Sequence, residues 1–93
     1  MSEINIVMGS IDYTVAPIAV RELFSFTQSA AANAYAKIKE NPLISGAVIV
    51  STCNRTEIYL SLENKSTVNA FELLCTLAGV DYEEYQYAGR TIS

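Results

Sequence analysis

One short run of this 93-residue chain gathers groups capable of covalent chemistry: Ser51-Thr52-Cys53-Asn54-Arg55-Thr56-Glu57-Ile58-Tyr59. A thiol, a guanidinium and a carboxylate stand at alternate positions of it. In extended chain successive side chains point to opposite faces, so Cys53, Arg55, Glu57 and Tyr59 share one side and Ile58 and Leu60 the other. The nucleophile is the thiolate, and a free cysteine of pKa about 8.5 is only a few per cent ionised at neutral pH. A neighbouring cation such as Arg55 would raise that fraction. Alternatively, its planar fork would grip a substrate carboxylate in a way lysine cannot reproduce. The residues by themselves leave both roles open.

Free cysteine is also a common small buried hydrophobe, and polar connections between strands are frequent. For Cys75 that reading wins, because it lies on an apolar helical stripe near Phe71 and Ala78 with no charge on the stripe. For Cys53 the structural and the chemical readings weigh evenly on physics alone. Two cysteines far apart in sequence, with no histidine, do not make a zinc cluster, so no metal is expected. A disulfide between them is disfavoured by their different contexts and by a cytosolic setting.

The run needs rigid elements on either side. Upstream, residues 47–50 (Ala-Val-Ile-Val) read as a buried strand; downstream, Ile58, Leu60 and Leu62 alternate with Glu57, Tyr59 and Ser61 as in a half-buried strand. Residues 4–8 form a first β-branched, apolar strand that Gly9-Ser10 interrupts. Thr27 caps a helix through about Ile38, with Ala31, Ala34, Tyr35 and Ile38 as its apolar face and Asn41-Pro42 as its end. Ser66 is the expected cap of a second helix carrying Val68, Phe71, Leu74, Cys75 and Ala78, stopped by Gly79. Residues 83–87 are assigned to a last strand. The resulting order, β-α-β-β-α-β, predicts an α+β, ferredoxin-like two-layer sandwich with an antiparallel sheet.

Length fits one domain, residues 1–93, and half the residues are hydrophobic (51%) against 17% charged, which supports a packed core rather than disorder. Every apolar stretch falls short of the roughly 20 residues of a membrane span, and residues 1–5 lack the character of a secretory signal. No membrane contact and a cytoplasmic location are therefore expected. Six scattered basic residues against ten acidic ones, a net charge of −4, do not make a phosphate clamp. If the substrate carries RNA, most of the backbone grip must lie elsewhere.

The run 51–59 closely resembles the active-site signature of glutamyl-tRNA reductases, and the segment Ala16-Pro17-Ile18-Ala19-Val20-Arg21-Glu22 resembles a second motif that precedes it in that family. The resemblance covers essentially the whole chain and implies the family's N-terminal catalytic domain. It further implies that Cys53 attacks the aminoacyl ester of glutamyl-tRNA, leaving a thioester that NADPH reduces to glutamate-1-semialdehyde for tetrapyrrole synthesis. Thr52, Asn54 and Arg55 match positions that recognise the glutamyl group, and Glu57 matches an acidic position of the same motif. An aminoacyl ester is already activated, which suits a lone thiol, and a thioester accepts hydride better than the ester it replaces.

The chain departs from the pattern where the family commonly has His-Lys-Thr-Ala-Pro: here Tyr13-Thr14-Val15-Ala16-Pro17 puts Val15 in the threonine position. The family's active-site histidine would follow Ser93. No Gly-x-Gly-x-x-Gly fingerprint is present, so this chain is expected to bind no NADPH and to reduce nothing alone. NADPH-binding and dimerisation domains are expected outside it, as are a homodimeric parent and a contact with the aminomutase that takes the aldehyde. The competing class is a non-catalytic, ferredoxin-like ligand-binding or regulatory module. From context, Cys53 should be accessible in a groove and Cys75 buried.

Overall fold

The computed structural model describes residues 4–12, 14–52, 54–63 and 67–92. Alternating apolar residues build strands β1 (Ile4–Ile11), β2 (Ile44–Ser51) and β3 (Thr56–Glu63), and a short β4 (Gly89–Ile92) follows late in the chain. Helices α1 (Ile18–Leu23) and α2 (Gln28–Ile38) connect β1 to β2. Helices α3 (Ala70–Ala78) and α4 (Tyr82–Tyr85), with a single 3-10 turn Gln86–Ala88, connect β3 to β4. The sheet order is β2-β3-β1-β4 and every neighbouring pair is antiparallel. Each crossover unit is thus split by a strand from the other, as the β-α-β-β-α-β order predicts for a two-layer α+β sandwich.

On β3 the expected alternation holds in full: Thr56, Ile58, Leu60 and Leu62 are buried and the residues between them face outward. They pack with Val7, Phe24, Phe71, Leu74 and Cys75 between sheet and helices. Phe24 stacks on Phe71 with ring centroids 5.8 Å apart, joining the two crossovers in one core. Thr27 caps α2, its hydroxyl accepting the Ala30 N–H at 3.2 Å, as the sequence predicts. Gly79 ends α3 at φ +74°, a left-handed conformation that glycine adopts without strain.

Several expectations are corrected. Gly9-Ser10 does not interrupt β1, which runs to Ile11. Gly9 is instead the place where α3 rests on the sheet, for a Cβ there would sit 2.6 Å from the Ala70 carbonyl carbon and the Phe71 nitrogen. The run 47–50 is not buried on both sides: β2 is an edge strand with one face on the helices, and Val48 and Val50 are exposed on the other. Residues 83–87 are helical rather than extended, because Asp81 caps α4 by accepting the Glu83 N–H at 3.1 Å and Glu83 and Glu84 occupy the first turn. The last strand begins at Gly89. Asn69 is the cap of α3, which leaves Val68 ahead of the helix; Ser66, the expected cap, lies outside the described residues.

Helix α1 was not foreseen and has no side-chain cap, Pro17 standing at its N-cap. No helix among the described residues is long and apolar enough to cross a membrane.

Candidate active site around the β2–β3 connection

The connection between β2 and β3 is tied by its own threonine. The Thr52 N–H donates to the Arg55 carbonyl at 2.8 Å, and the Thr52 hydroxyl accepts the Asn54 and Arg55 N–H groups, each at 3.2 Å. The same hydroxyl donates to the Arg55 carbonyl at 3.3 Å. Its one proton and both lone pairs are therefore engaged by backbone. Cys53 lies outside the described residues, and with it the expected accessibility of its thiol. The bonds named here join the residues on either side of it.

Two further ties hold the connection to the α1–α2 segment. The Arg21 Nη1 donates to the Asn54 carbonyl at 3.2 Å, and the Ser51 hydroxyl accepts the Phe26 N–H at 3.1 Å. The Arg21 Nε is buried and has no acceptor among the described residues. Arg21 sits on α1, in the run 16–22, so the structure brings together two segments that are about thirty residues apart in sequence.

The alternation expected for Arg55, Glu57 and Tyr59 is found. They share the open face of the sheet, where the Arg55 Nη1 lies 4.0 Å from the Glu57 Oε1 and the Tyr59 hydroxyl donates to the same oxygen at 3.2 Å. Desolvation, then the hydrogen bond and charge of Glu57, push the Tyr59 hydroxyl above its ordinary range. Cross-strand register extends the set: Ser10 pairs with Glu57 on one side and Arg90 on the other. Met8, Ser10, Asp12, Arg55, Glu57 and Arg90 line a cleft of about 140 Å³ at this end of the sheet. Asp12 is held below the usual carboxylate range by hydrogen bonds from the Thr14 hydroxyl and N–H, with a smaller contribution from the Arg90 charge.

Residues 10–92 match the family model of the glutamyl-tRNAGlu reductase N-terminal domain. The chain belongs to that family. It is 58% identical over 81 residues to a glutamyl-tRNA reductase of Acetivibrio thermocellus, covering 87% of this chain and 24% of that protein. A glutamyl-tRNA reductase of Alkaliphilus oremlandii is 51% identical over 86 residues, covering 92% of this chain and 26% of that protein. One from Moorella thermoacetica is 34% identical over 91 residues, covering 92% and 21%. The chain thus spans about a quarter of the length of these relatives.

Of the family-motif residues, the structure brings Arg55 and Glu57 together at the cleft, while the Asn54 carbonyl turns to Arg21 and the Thr52 hydroxyl closes its own turn. Val15 is exposed beside the Asp12 turn, and Tyr13 lies outside the described residues. Cys75 is fully buried, as expected, and burial followed by the charges of Glu72 and Asp81 pushes its thiol up to about 11. Sequence reasoning missed Arg90 as a neighbour of the site and gave Ser51 and Arg21 no part in it. The runs 16–22 and 51–59 are the available signals for Arg21 and Ser51; nothing local marks Arg90.

Proposed function

We propose that this chain is the part of an NADPH-dependent glutamyl-tRNA reductase that takes the glutamyl group from glutamyl-tRNA onto Cys53. The Cys53 thiolate attacks the carbonyl carbon of the aminoacyl ester. A carbon–sulfur bond forms, the bond to the ribose oxygen breaks, and the tRNA leaves as an alcohol after taking up a proton. Arg55 holds the side-chain carboxylate of the glutamyl group, Glu57 faces its ammonium, and Thr52 and Asn54 shape the turn that presents the thiol.

What supports this reading is the meeting of the two motif segments. Arg21 from the first donates to the Asn54 carbonyl in the second, next to the nucleophile in sequence, and Arg55 and Glu57 line the adjoining cleft. Full commitment of the Thr52 hydroxyl to backbone fits a role in fixing the turn rather than in direct contact with substrate.

Reduction of the thioester to glutamate-1-semialdehyde, the aldehyde used in tetrapyrrole synthesis, needs a hydride donor, which this reading takes to be NADPH. A dinucleotide is ordinarily cradled by a glycine-rich turn leading from a parallel strand into a helix. The antiparallel sheet described here does not fit one, and no residue of this chain is given to the hydride step. The reading places NADPH binding and dimerisation in the remainder of the parent, delivery of the aldehyde to an aminomutase outside this chain, and the whole in the cytoplasm.

Single-turnover transfer from glutamyl-tRNA tests this in the full-length parent carrying Cys53→Ser or Cys75→Ser. The first variant should lose transfer and the second, if folded, should keep it. Undiminished transfer in Cys53→Ser would leave a non-catalytic, ligand-binding module as the better account.

A further inference from the structure

The open face of the sheet is ordered in rows by strand register. One row runs Arg90, Ser10, Glu57 and Val50 across β4, β1, β3 and β2, and the next runs Ile92, Met8, Tyr59 and Val48. Arg90 belongs to the open face because its neighbour Thr91 points to the helices, where its hydroxyl accepts the Phe71 N–H at 2.9 Å. The first row lies at the end of the sheet that carries the β2–β3 connection. Arg55, from that connection, lines the same cleft, so two arginines, one from β4 and one from the β2–β3 connection, border a cleft whose lining includes the buried Ser10.

Neither guanidinium is locked in place. Arg55 is 55% exposed and reaches Glu57 only at 4.0 Å, and Arg90 has no ion pair within 4.0 Å among the described residues. Asp12, whose carboxylate feels the Arg90 charge, already accepts two hydrogen bonds from Thr14. The cleft, about 140 Å³ and open to solvent, has room for a group the size of a carboxyethyl side chain. Two cations and two carboxylates around it suit an acyl group bearing both a carboxylate and an ammonium.

We propose that Arg90 is a specificity-determining residue: with Arg55 it forms a two-guanidinium clamp on the side-chain carboxylate of the glutamyl group. This rests on the reading that Cys53 carries that group as a thioester. A carboxylate between two forks is preferred to the isosteric amide of glutamine, whose NH2 would face a guanidinium that can only donate.

The test compares the full-length parent with Arg90→Gln and Arg90→Lys in single-turnover transfer from tRNA charged with glutamate or, as a probe, with glutamine. Arg90→Gln should weaken glutamyl transfer on the order of ten- to hundredfold and reduce discrimination against glutamine by a similar factor. Alkylation of Cys53 by iodoacetamide should be unchanged. Arg90→Lys, which keeps the charge and loses the fork, should retain part of the discrimination. An unaltered glutamate-to-glutamine ratio in Arg90→Gln overturns the clamp. A Cys53→Ser control separates the two levels: if it abolishes transfer while Arg90→Gln changes nothing, only the clamp falls; if it does not, the reading of the site falls and the clamp with it.

Discussion

Replacing Arg55 by lysine separates its two candidate roles, and the structure sets the size of the effect. Its partner Glu57 is 4.0 Å away, with the two side chains 55% and 16% exposed. Ion pairs with one partner in solvent contribute about 0–1 kcal/mol. Arg55 can therefore leave Glu57 for a substrate carboxylate at a cost below about 1 kcal/mol. The new contact, a charge-assisted and bidentate one, is worth roughly 1.5–3 kcal/mol. Lysine keeps the charge but not the fork, so Arg55→Lys in the full-length parent should slow single-turnover transfer from glutamyl-tRNA by about tenfold and up to about a hundredfold. The rate of Cys53 alkylation should stay within about twofold, because the local charge is retained. If Arg55 instead ionises Cys53, Arg55→Lys preserves both rates and Arg55→Leu slows both together. Unchanged transfer in Arg55→Leu would remove Arg55 from the site and refute the argument from cleft geometry.

Three further outcomes follow from the packing. Gly9→Ala should destabilise the fold by about 1–3 kcal/mol in urea unfolding, because the added methyl meets α3 backbone rather than a side chain that can swing away; an unchanged midpoint would contradict the close approach of α3 to β1. Asn69→Ala should cost about 1–2 kcal/mol in the same assay, since Asn69 Oδ1 accepts both the Glu72 N–H at 3.1 Å and the Thr91 hydroxyl at 2.6 Å, tying α3 to β4. Cys75 should resist a thiol reagent at pH 8 until the chain unfolds. Because burial raises its folded pKa to about 11, above the value of about 8.5 expected unfolded, its share of stability is fully present below about pH 8.5 and is lost as pH rises toward 11. Equal pH dependence of unfolding above pH 9 in Cys75→Ala and the unaltered chain would contradict that.

What the sequence makes legible is what depends on local pattern. The period-two alternation on β3, the Thr27 cap and the Gly79 stop each appear in the structure where the residues point to them. Residues 83–87 mislead because Tyr85 and Tyr87 alternate with Glu84 and Gln86 through a segment whose fate is decided by the Asp81 cap and by Tyr82 and Tyr85 packing on Phe71 and Phe24. Gly9 reads as a break until the α3 backbone lying over it is known. Helix α1 has six residues and no side-chain cap, too short for a periodic signal, though its Phe24 C-cap becomes a centre of the core. The site divides in the same way. Arg55, Glu57 and Tyr59 share a face because β-structure has period two, which one local run reveals. The Arg21 contact with Asn54, and the row joining Arg90, Ser10 and Glu57, arise from tertiary packing and strand register, which no local run carries.

The most direct test of the central claim is to trap the acyl group. The full-length parent, without NADPH, is mixed with tRNA carrying isotopically labelled glutamate, quenched in acid to preserve a thioester, digested and analysed by peptide mass. The account predicts one labelled glutamyl adduct, on the peptide containing Cys53, that hydroxylamine releases. Label on the Cys75 peptide, or none on either cysteine while tRNA is still discharged, would contradict it.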